Sequence, residues 1–401
     1  MNFFATGVPA SCDIFCNVID NYGDIGVSWR LARQLANEFN LDVRLFVDDL
    51  QSFARLCPEA DAALESQHCR GVEVKQWGDD FSVVQPADLV IDAFGCTLPP
   101  GYLAAMTAQT VWINLEYLSA EDWVEGCHKL PSPKPPLTRY FFFPGFTEKT
   151  GGLLLEQDLL QRRDAFLSDP VRQQAFWRSI GMVMPAADPL KISMFAYEND
   201  ALAALFDVWA SGDQTVLCLV PEGRILPQVR HYFAGRDIPR SDEDVGMNPD
   251  LQHYSRGNLR VRILPFAPQE RYDELLWACD INFVRGEDSC VRAQWAGKPF
   301  VWQIYPQHDA VHWDKLQAFL NLYDRTLDPA ACRAMQGLWH MWNGGAENAV
   351  EVWRAFTNEL GQLNPHAKAW ACELSVNNLA LNLLAFSQEI GRMRAFEIDE
   401  Q

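Results

Sequence analysis

The stretch Asp20-Asn21-Tyr22-Gly23-Asp24-Ile25-Gly26 decides how this chain is read. Before it, Cys12-Asp13-Ile14-Phe15-Cys16-Asn17-Val18-Ile19 is an apolar run that reads as a buried β-strand. After it, Val27, Leu31, Leu35 and Phe39 recur with the rhythm of one helix face. Carboxylates and glycines therefore fall where a first strand hands over to a first helix. In an open α/β sheet the crevice outside the carboxyl ends of the strands is where ligands bind, so one reading turns Asp20 and Asp24 toward a substrate, with Asn21, Tyr22 and Gly23 forming the loop between them. The competing reading is local: Asn, Asp and Gly are ordinary turn residues, and an Asp ahead of a helix is often only its N-cap. The loop lacks the Gly-x-Gly-x-x-Gly pattern of a dinucleotide site. It is built around carboxylates rather than around a bound pyrophosphate.

Working outward, the chain has 401 residues, too many for one ordinary core, and two domains are the natural expectation. With 48% apolar residues, 12% aromatic residues and 14 Trp, it has ample material for packed cores. A net charge of −20 disfavours nonspecific binding to nucleic acid or an anionic membrane, both of which need basic surface. The 11 cysteines are scattered, odd in number and without a CxxC pair, which fits a reduced protein better than a disulfide framework or a zinc site. The N-terminus has neither a positive n-region nor a long apolar h-region, and no segment reaches the run needed to span a membrane. A cytoplasmic protein is expected.

Strand candidates follow at 43–47, 72–76, 89–94, 111–115 and 140–143, with helical material between them, for example around 51–56. This alternation predicts a mostly parallel, doubly wound sheet. Pro131-Ser132-Pro133-Lys134-Pro135-Pro136 reads as a loop, since its prolines suit neither a helix nor a central strand. Helical residues at 169–180 lead to Pro185 and Pro189, the expected boundary. A second series of strands is expected at 191–196, 215–220, 259–264, 280–284 and 299–304, with a polar excursion over 236–250. From about His308 the pattern is helical, with Trp339, Trp342, Val352 and Phe356 as core and a long last helix over 367–394. The domains are read as 1–183, completed by a C-terminal helix at 366–401, and 184–365.

The second half repeats the device of the first. Val284-Arg285-Gly286-Glu287-Asp288-Ser289 follows a strand and opens a helix carrying Val291 and Trp295. Amides at a helix start, with Gly286 and the Ser289 hydroxyl, make a phosphate cradle, and Arg285 adds a donor suited to a diphosphate. Glu287 would repel phosphate and suits a sugar hydroxyl or the support of a catalytic group. The local alternative is an N-cap at Asp288 or Ser289 and an Arg285–Glu287 surface pair. Phe195-Ala196-Tyr197-Glu198 and Phe266-Ala267-Pro268-Gln269 also end expected strands of this half, where aromatic faces and a Gln amide suit a flat base. Each, taken alone, is more often core packing or a helix cap, and their value lies in falling together at the carboxyl ends of strands in one domain. His308 and His312 have helical spacing but no third ligand nearby, and read as surface or core residues.

Taken together, Asp20-Asn-Tyr-Gly-Asp-Ile-Gly-Val27 with Ser28-Trp-Arg-Leu-Ala32, Phe195-Ala-Tyr-Glu198, Pro265-Phe-Ala-Pro-Gln269 and Arg285-Gly-Glu-Asp-Ser289 resemble the EarP family, the protein-arginine rhamnosyltransferases that modify translation elongation factor P. The resemblance runs essentially end to end. It implies a GT-B-like α/β fold of two facing Rossmann-like domains with a cleft between them, and an inverting glycosyltransferase that needs no metal or other cofactor. It implies dTDP-β-L-rhamnose as donor, held by the C-terminal domain, and an arginine of elongation factor P as acceptor, held against the N-terminal domain. By this resemblance Asp20, Asp24 and Glu287 are catalytic, Tyr197, Gln269, Arg285, Gly286, Asp288 and Ser289 contact the nucleotide diphosphate, and Phe195 and Phe266 wall the thymine.

The chemistry suits these residue types. A guanidinium keeps its proton in water, so a carboxylate must orient it and take a proton as the new bond forms. Asp20 is assigned as the base and Asp24 as the orienting partner, an order left open by the sequence. Other readings are a transferase with a different nucleotide sugar or acceptor, and a catalytically silent protein-binding module. A nicotinamide oxidoreductase is disfavoured by the missing glycine fingerprint.

Overall fold

A computed structural model of the chain describes residues 9–19, 22–78, 81, 84–183, 189–234, 252–306, 311–345 and 347–399. Asp20, Asn21, Pro185, the 236–250 excursion and His308 lie outside the described residues. The chain forms two compact units, Met1–Gln157 with Leu374–Gln401, and Asp158–Glu373.

In the first unit, β1 (Ser11–Cys16) leads into α1 (Gly23–Phe39), then β2 (Asp42–Val47), α2 (Leu50–Leu56), β3 (Ser66–Cys69), β4 (Val72–Gln76), β5 (Leu89–Ala93), α3 (Pro100–Ala105), β6 (Val111–Leu115), α4 (Trp123–Cys127), β7 (Pro131–Lys134) and β8 (Leu137–Phe142). The sheet order is β3-β4-β2-β1-β5-β6-β8-β7. Its parallel strands β4-β2-β1-β5-β6-β8 run in the doubly wound order, which reverses between β1 and β5. Strands such as β5 and β6 are buried throughout, which is why they read as unbroken apolar runs rather than alternating ones. On one face Phe15 and Phe46 stack at 4.4 Å, with Tyr102 of α3 packed edge-on against Phe15.

The second unit holds α5 (Leu159–Ser168), α6 (Pro170–Ser179), β9 (Leu190–Met194), α7 (Leu202–Ser211), β10 (Val216–Pro221), α8 (Leu226–Phe233), β11 (His253–Arg256), β12 (Leu259–Leu264), α9 (Gln269–Ala278), β13 (Ile281–Arg285), α10 (Asp288–Ala296), β14 (Phe300–Gln303), α11 (Val311–Tyr323), α12 (Pro329–Gly344), α13 (Ala349–Asn358) and most of α14 (Leu360–Leu374). Its sheet order is β11-β12-β10-β9-β13-β14, again parallel apart from the edge strand β11, with the reversal between β9 and β13. Helix α5, ahead of the expected boundary, packs within this unit: Phe166 meets Trp277 of α9 at 5.7 Å, and Arg163 donates to the Trp295 carbonyl at 2.8 Å. Trp339, Trp342 and Phe356 are buried as expected, whereas Val352 is only half-buried and Trp353 takes the interior position beside it.

Three local expectations need correction. Pro131–Lys134 is not a loop but the edge strand β7, paired antiparallel with β8. An edge strand tolerates proline because one side of its backbone has no ladder to donate to. The short antiparallel edges β3 and β11 have no counterpart among the expected strands. The long last helix is interrupted: α14 ends at Leu374 and α15 (Leu379–Asp399) begins after a break. In that break the Leu153 amide donates to the Asn377 carbonyl at 3.2 Å, and the Leu379 amide donates to the Leu153 carbonyl at 2.9 Å. Gly152 permits the approach, with φ +80° and a Cβ position that would collide with Asn377. Helix α15 then lies on the first unit, where Phe386 meets Tyr140 at 5.6 Å.

Candidate functional site

In the second unit the reversal between β9 and β13 brings the loops that follow them together, as a doubly wound sheet requires at its switch point. Arg285, the last residue of β13, is buried, and its guanidinium carbon lies 4.4 Å from the Tyr197 ring centroid and 4.7 Å from that of Phe195. A guanidinium over aromatic faces is held in place by the ring quadrupole, at a modest desolvation cost for a delocalised cation. The Tyr197 backbone is fixed from β14, two strands away: its amide donates to Gln303 Oε1 at 2.8 Å, and Gln303 Nε2 donates to the Glu198 carbonyl at 3.2 Å. Arg224, in the loop after β10, also lies over the Tyr197 ring at 5.7 Å and pairs with Glu198 at 3.5 Å.

The turn from β13 into α10 is built as the sequence suggests, with one difference. Gly286 takes φ +60°, where a side chain is disfavoured, and Glu287 follows in the right-handed region. A left-handed residue next to a right-handed one turns successive amides to one side, and a helix start adds its own. The Gly286 carbonyl accepts from Trp302 Nε1 at 2.7 Å, which fixes the turn from beneath. The Ser289 hydroxyl, however, folds back onto its own loop: it accepts from the Arg285 amide at 3.2 Å and donates to the Arg285 carbonyl. It shapes the turn rather than reaching outward. Glu287 is half-buried, and its carboxylate does not cap α10.

Asp288 is likewise engaged locally. Its Oδ2 accepts from Arg292 Nε at 3.0 Å and from Gln269 Nε2 at 3.1 Å. Arg292, buried on the next turn of α10, also donates to Asp273 of α9 at 2.8 Å. A chain of charge-assisted bonds thus ties the start of α9 to the start of α10 and sets the direction of the Gln269 amide. Phe266 is half-buried in the loop before α9. Tyr272 packs edge-on against Phe195 at 5.6 Å, and burial pushes its phenol well above the ordinary range. Arg292, Asp273, Gln303 and Trp302 escaped the sequence reading; only the i, i+4 spacing of Asp288 and Arg292 gave a signal for any of them.

In the first unit Asp24 sits in the first turn of α1 and is buried. Its Oδ2 accepts from the Ile19 amide at 2.8 Å, closing the loop onto itself. The Val18 amide donates to Asp48 Oδ1 at 2.9 Å, which anchors the start of the loop to the residue after β2. Tyr22 precedes the helix, and its carbonyl accepts from the Gly26 amide at 2.9 Å. Asp20 and Asn21, which follow Ile19 in the sequence, are outside the described residues. His312 is half-buried on α11. Among the described residues, no group of three or more His, Cys, Asp or Glu is arranged to hold a metal ion, and no helix is long and apolar enough to cross a membrane.

Two doubly wound units in one chain, each with polar loops at the switch point of its sheet, make up a GT-B-like fold, the class of many glycosyltransferases. The solved structure of MurG from Acinetobacter baumannii shares this fold at a TM-score of 0.50 and 11% identity, covering 94% of this chain and 99% of its own. The sequence model of the family described as Elongation-Factor P (EF-P) rhamnosyltransferase EarP matches residues 12–388, and the chain belongs to that family. A protein-arginine rhamnosyltransferase of Pseudomonas putida is 48% identical over 385 residues, 94% of this chain and 99% of that protein. A solved structure described as the structural basis for EarP-mediated arginine glycosylation of EF-P is 34% identical at a TM-score of 0.65, covering 93% of this chain and 97% of its own.

Proposed function

We infer that this chain transfers L-rhamnose from dTDP-β-L-rhamnose to an arginine side chain of elongation factor P, with inversion and without a metal, in the cytoplasm. Rhamnosylation of an EF-P arginine is the activity of the family to which it belongs. The observation that carries the donor reading is Arg285, laid across Tyr197 and Phe195 beside the amides of the β13–α10 turn. That arrangement supports a site for a nucleoside diphosphate, with positive charge and backbone donors aimed at the phosphates and aromatic walls for the base.

The residues divide the work as follows. Asp20 takes the proton as a guanidine nitrogen attacks the anomeric carbon and the bond from that carbon to the dTDP oxygen breaks. Asp24, tied to the Ile19 amide, holds the loop that presents Asp20. Arg285 and the turn amides, including that of Gly286, stabilise the charge growing on the leaving diphosphate. Asp288 acts through Gln269, whose amide it orients toward the base. Ser289 shapes the turn, Phe266 adds a wall, and Glu287 faces the sugar. The acceptor belongs to the unit carrying β1 and the donor to the unit carrying β13.

The deciding experiment is intact-mass spectrometry of EF-P after incubation with this protein and dTDP-β-L-rhamnose in the presence of a chelator. A single deoxyhexose added to EF-P, and lost with Asp20→Asn, is expected. Unmodified EF-P despite measurable dTDP binding would overturn the assignment of sugar or acceptor.

A further inference from the structure

The first unit carries an aromatic pair outside the groups assigned to the donor and to proton transfer. Phe94 and Tyr117 follow β5 and β6 at the carboxyl edge of the sheet, and their rings stack at 4.6 Å with an interplanar angle of 23°. Tyr117 is 36% exposed and Phe94 half-buried, so the pair is not core packing. Phe94 also takes φ +58°, a conformation that a bulky residue adopts only when its surroundings impose it. The surroundings are specific. The Phe94 amide donates to the Leu115 carbonyl at 2.6 Å, and the Gly95 amide donates to Asn114 Oδ1 at 3.0 Å. Asn114 Nδ2 in turn donates to Glu116 Oε1 at 2.6 Å, which fixes a carboxylate next to the ring pair.

The place of the pair is set by register. Phe15 of β1 lies opposite Asp92 of β5, and Asp92 lies opposite Asn114 of β6, so Phe94 and Glu116 leave the sheet at the same carboxyl edge as Asn17, the residue that follows β1. Cys96 Sγ donates to the Phe15 carbonyl at 3.3 Å and holds the following turn against the same strand end. The switch point of this sheet thus presents flat aromatic faces and a fixed carboxylate alongside the aspartate loop. Those are the groups a guanidinium needs, a π face to lie on and an anion in reach of its N–H fork.

We propose that Phe94 and Tyr117 are the platform for the acceptor arginine, with Glu116 as the carboxylate that sets its rotation, making them specificity-determining residues for arginine over lysine. The inference rests on the reading that an EF-P arginine is the acceptor. An ammonium lacks the planar face that stacks and the fork that pairs, so the platform discriminates by shape as well as by charge.

The test is a binding cycle together with steady-state kinetics on the full-length protein. Wild-type, Tyr117→Ala, Tyr117→Phe and Glu116→Gln enzymes are titrated with EF-P and with EF-P whose acceptor arginine is changed to Ala. Removing that arginine should weaken binding to the wild-type and Tyr117→Phe enzymes about tenfold, and to Tyr117→Ala hardly at all. Tyr117→Ala should raise the KM for EF-P by about the same factor, with kcat changed less and dTDP affinity unchanged, and with an unchanged thermal unfolding profile reporting an intact first unit. Glu116→Gln should narrow the gap between wild-type EF-P and EF-P carrying lysine at that position. Equal loss in all enzymes when the arginine is removed would overturn the platform. Failure of the underlying reading would show separately, as unmodified EF-P with the wild-type enzyme.

Discussion

The guanidinium carbon of Arg285 stands 4.4 Å from the ring centroid of Tyr197, on the last residue of one strand and in the loop after its neighbour. The two are 88 positions apart in sequence and meet only because β9 and β13 are adjacent at the sheet's reversal. Arg285→Lys keeps the charge but loses the flat face and the fork. It should weaken dTDP binding about tenfold or more while leaving EF-P affinity unchanged, as read by calorimetric titration with each ligand.

Asp24 and Asp20 should part company under amide substitution. Asp24→Asn keeps an oxygen to accept from the Ile19 amide, so it should retain a measurable fraction of kcat, whereas Asp24→Ala opens the loop and should lose most of it. Asp20→Asn should reduce kcat by about a thousandfold or more with dTDP affinity preserved. Equal effects of Asp20→Asn and Asp24→Asn would mean that both carboxylates handle the proton.

His128 gives the first unit a pH dependence on the acid side. Its Nδ1 accepts from the Phe143 amide at 3.1 Å, which requires the neutral ring, and burial lowers its pKa from 6.5 to about 4. A basic group whose folded pKa is depressed stabilises the fold above its unfolded pKa and loses that contribution as pH falls. Stability should therefore decline between pH 6.5 and 4 through this residue, and His128→Gln should flatten the decline. An imidazole titration by NMR centred near 6.5 would contradict this.

Gly257, in the turn between β11 and β12, takes φ +54°, and a Cβ there would run into the Ala210 carbonyl of α7. Because that obstacle is backbone, Gly257→Ala should cost at least about 2 kcal/mol. Calorimetry should place the loss in the transition of the unit spanning Asp158–Glu373.

Much of the scaffold was legible in the chain because strands carry their own pattern: β6, buried throughout, is an unbroken run at the expected 111–115, while β4 and β12 alternate apolar and polar residues at the expected 72–76 and 259–264. The edges were not legible. β3, β7 and β11 are short, polar or proline-containing, and only a neighbouring strand makes them strands. The break between α14 and α15 was hidden for a related reason. The helical pattern runs through it, and it is the docking of 151–155 that claims the Asn377 and Leu379 backbone groups.

By itself the sequence determined the alternating order of strands and helices, the two aspartates after the first strand and the Arg-Gly-Glu-Asp-Ser turn, since these depend on residue type and local spacing. The tertiary structure alone decided what those groups touch: that Ser289 and Asp24 turn back on their own loops, that Asp288 is shared by Gln269 and Arg292, and that Phe94 stacks on Tyr117 beside β1. A hydrogen bond or ring contact is a relation between distant positions. Only strand order and register, which are set by the packing of whole elements, bring those positions within a few ångströms.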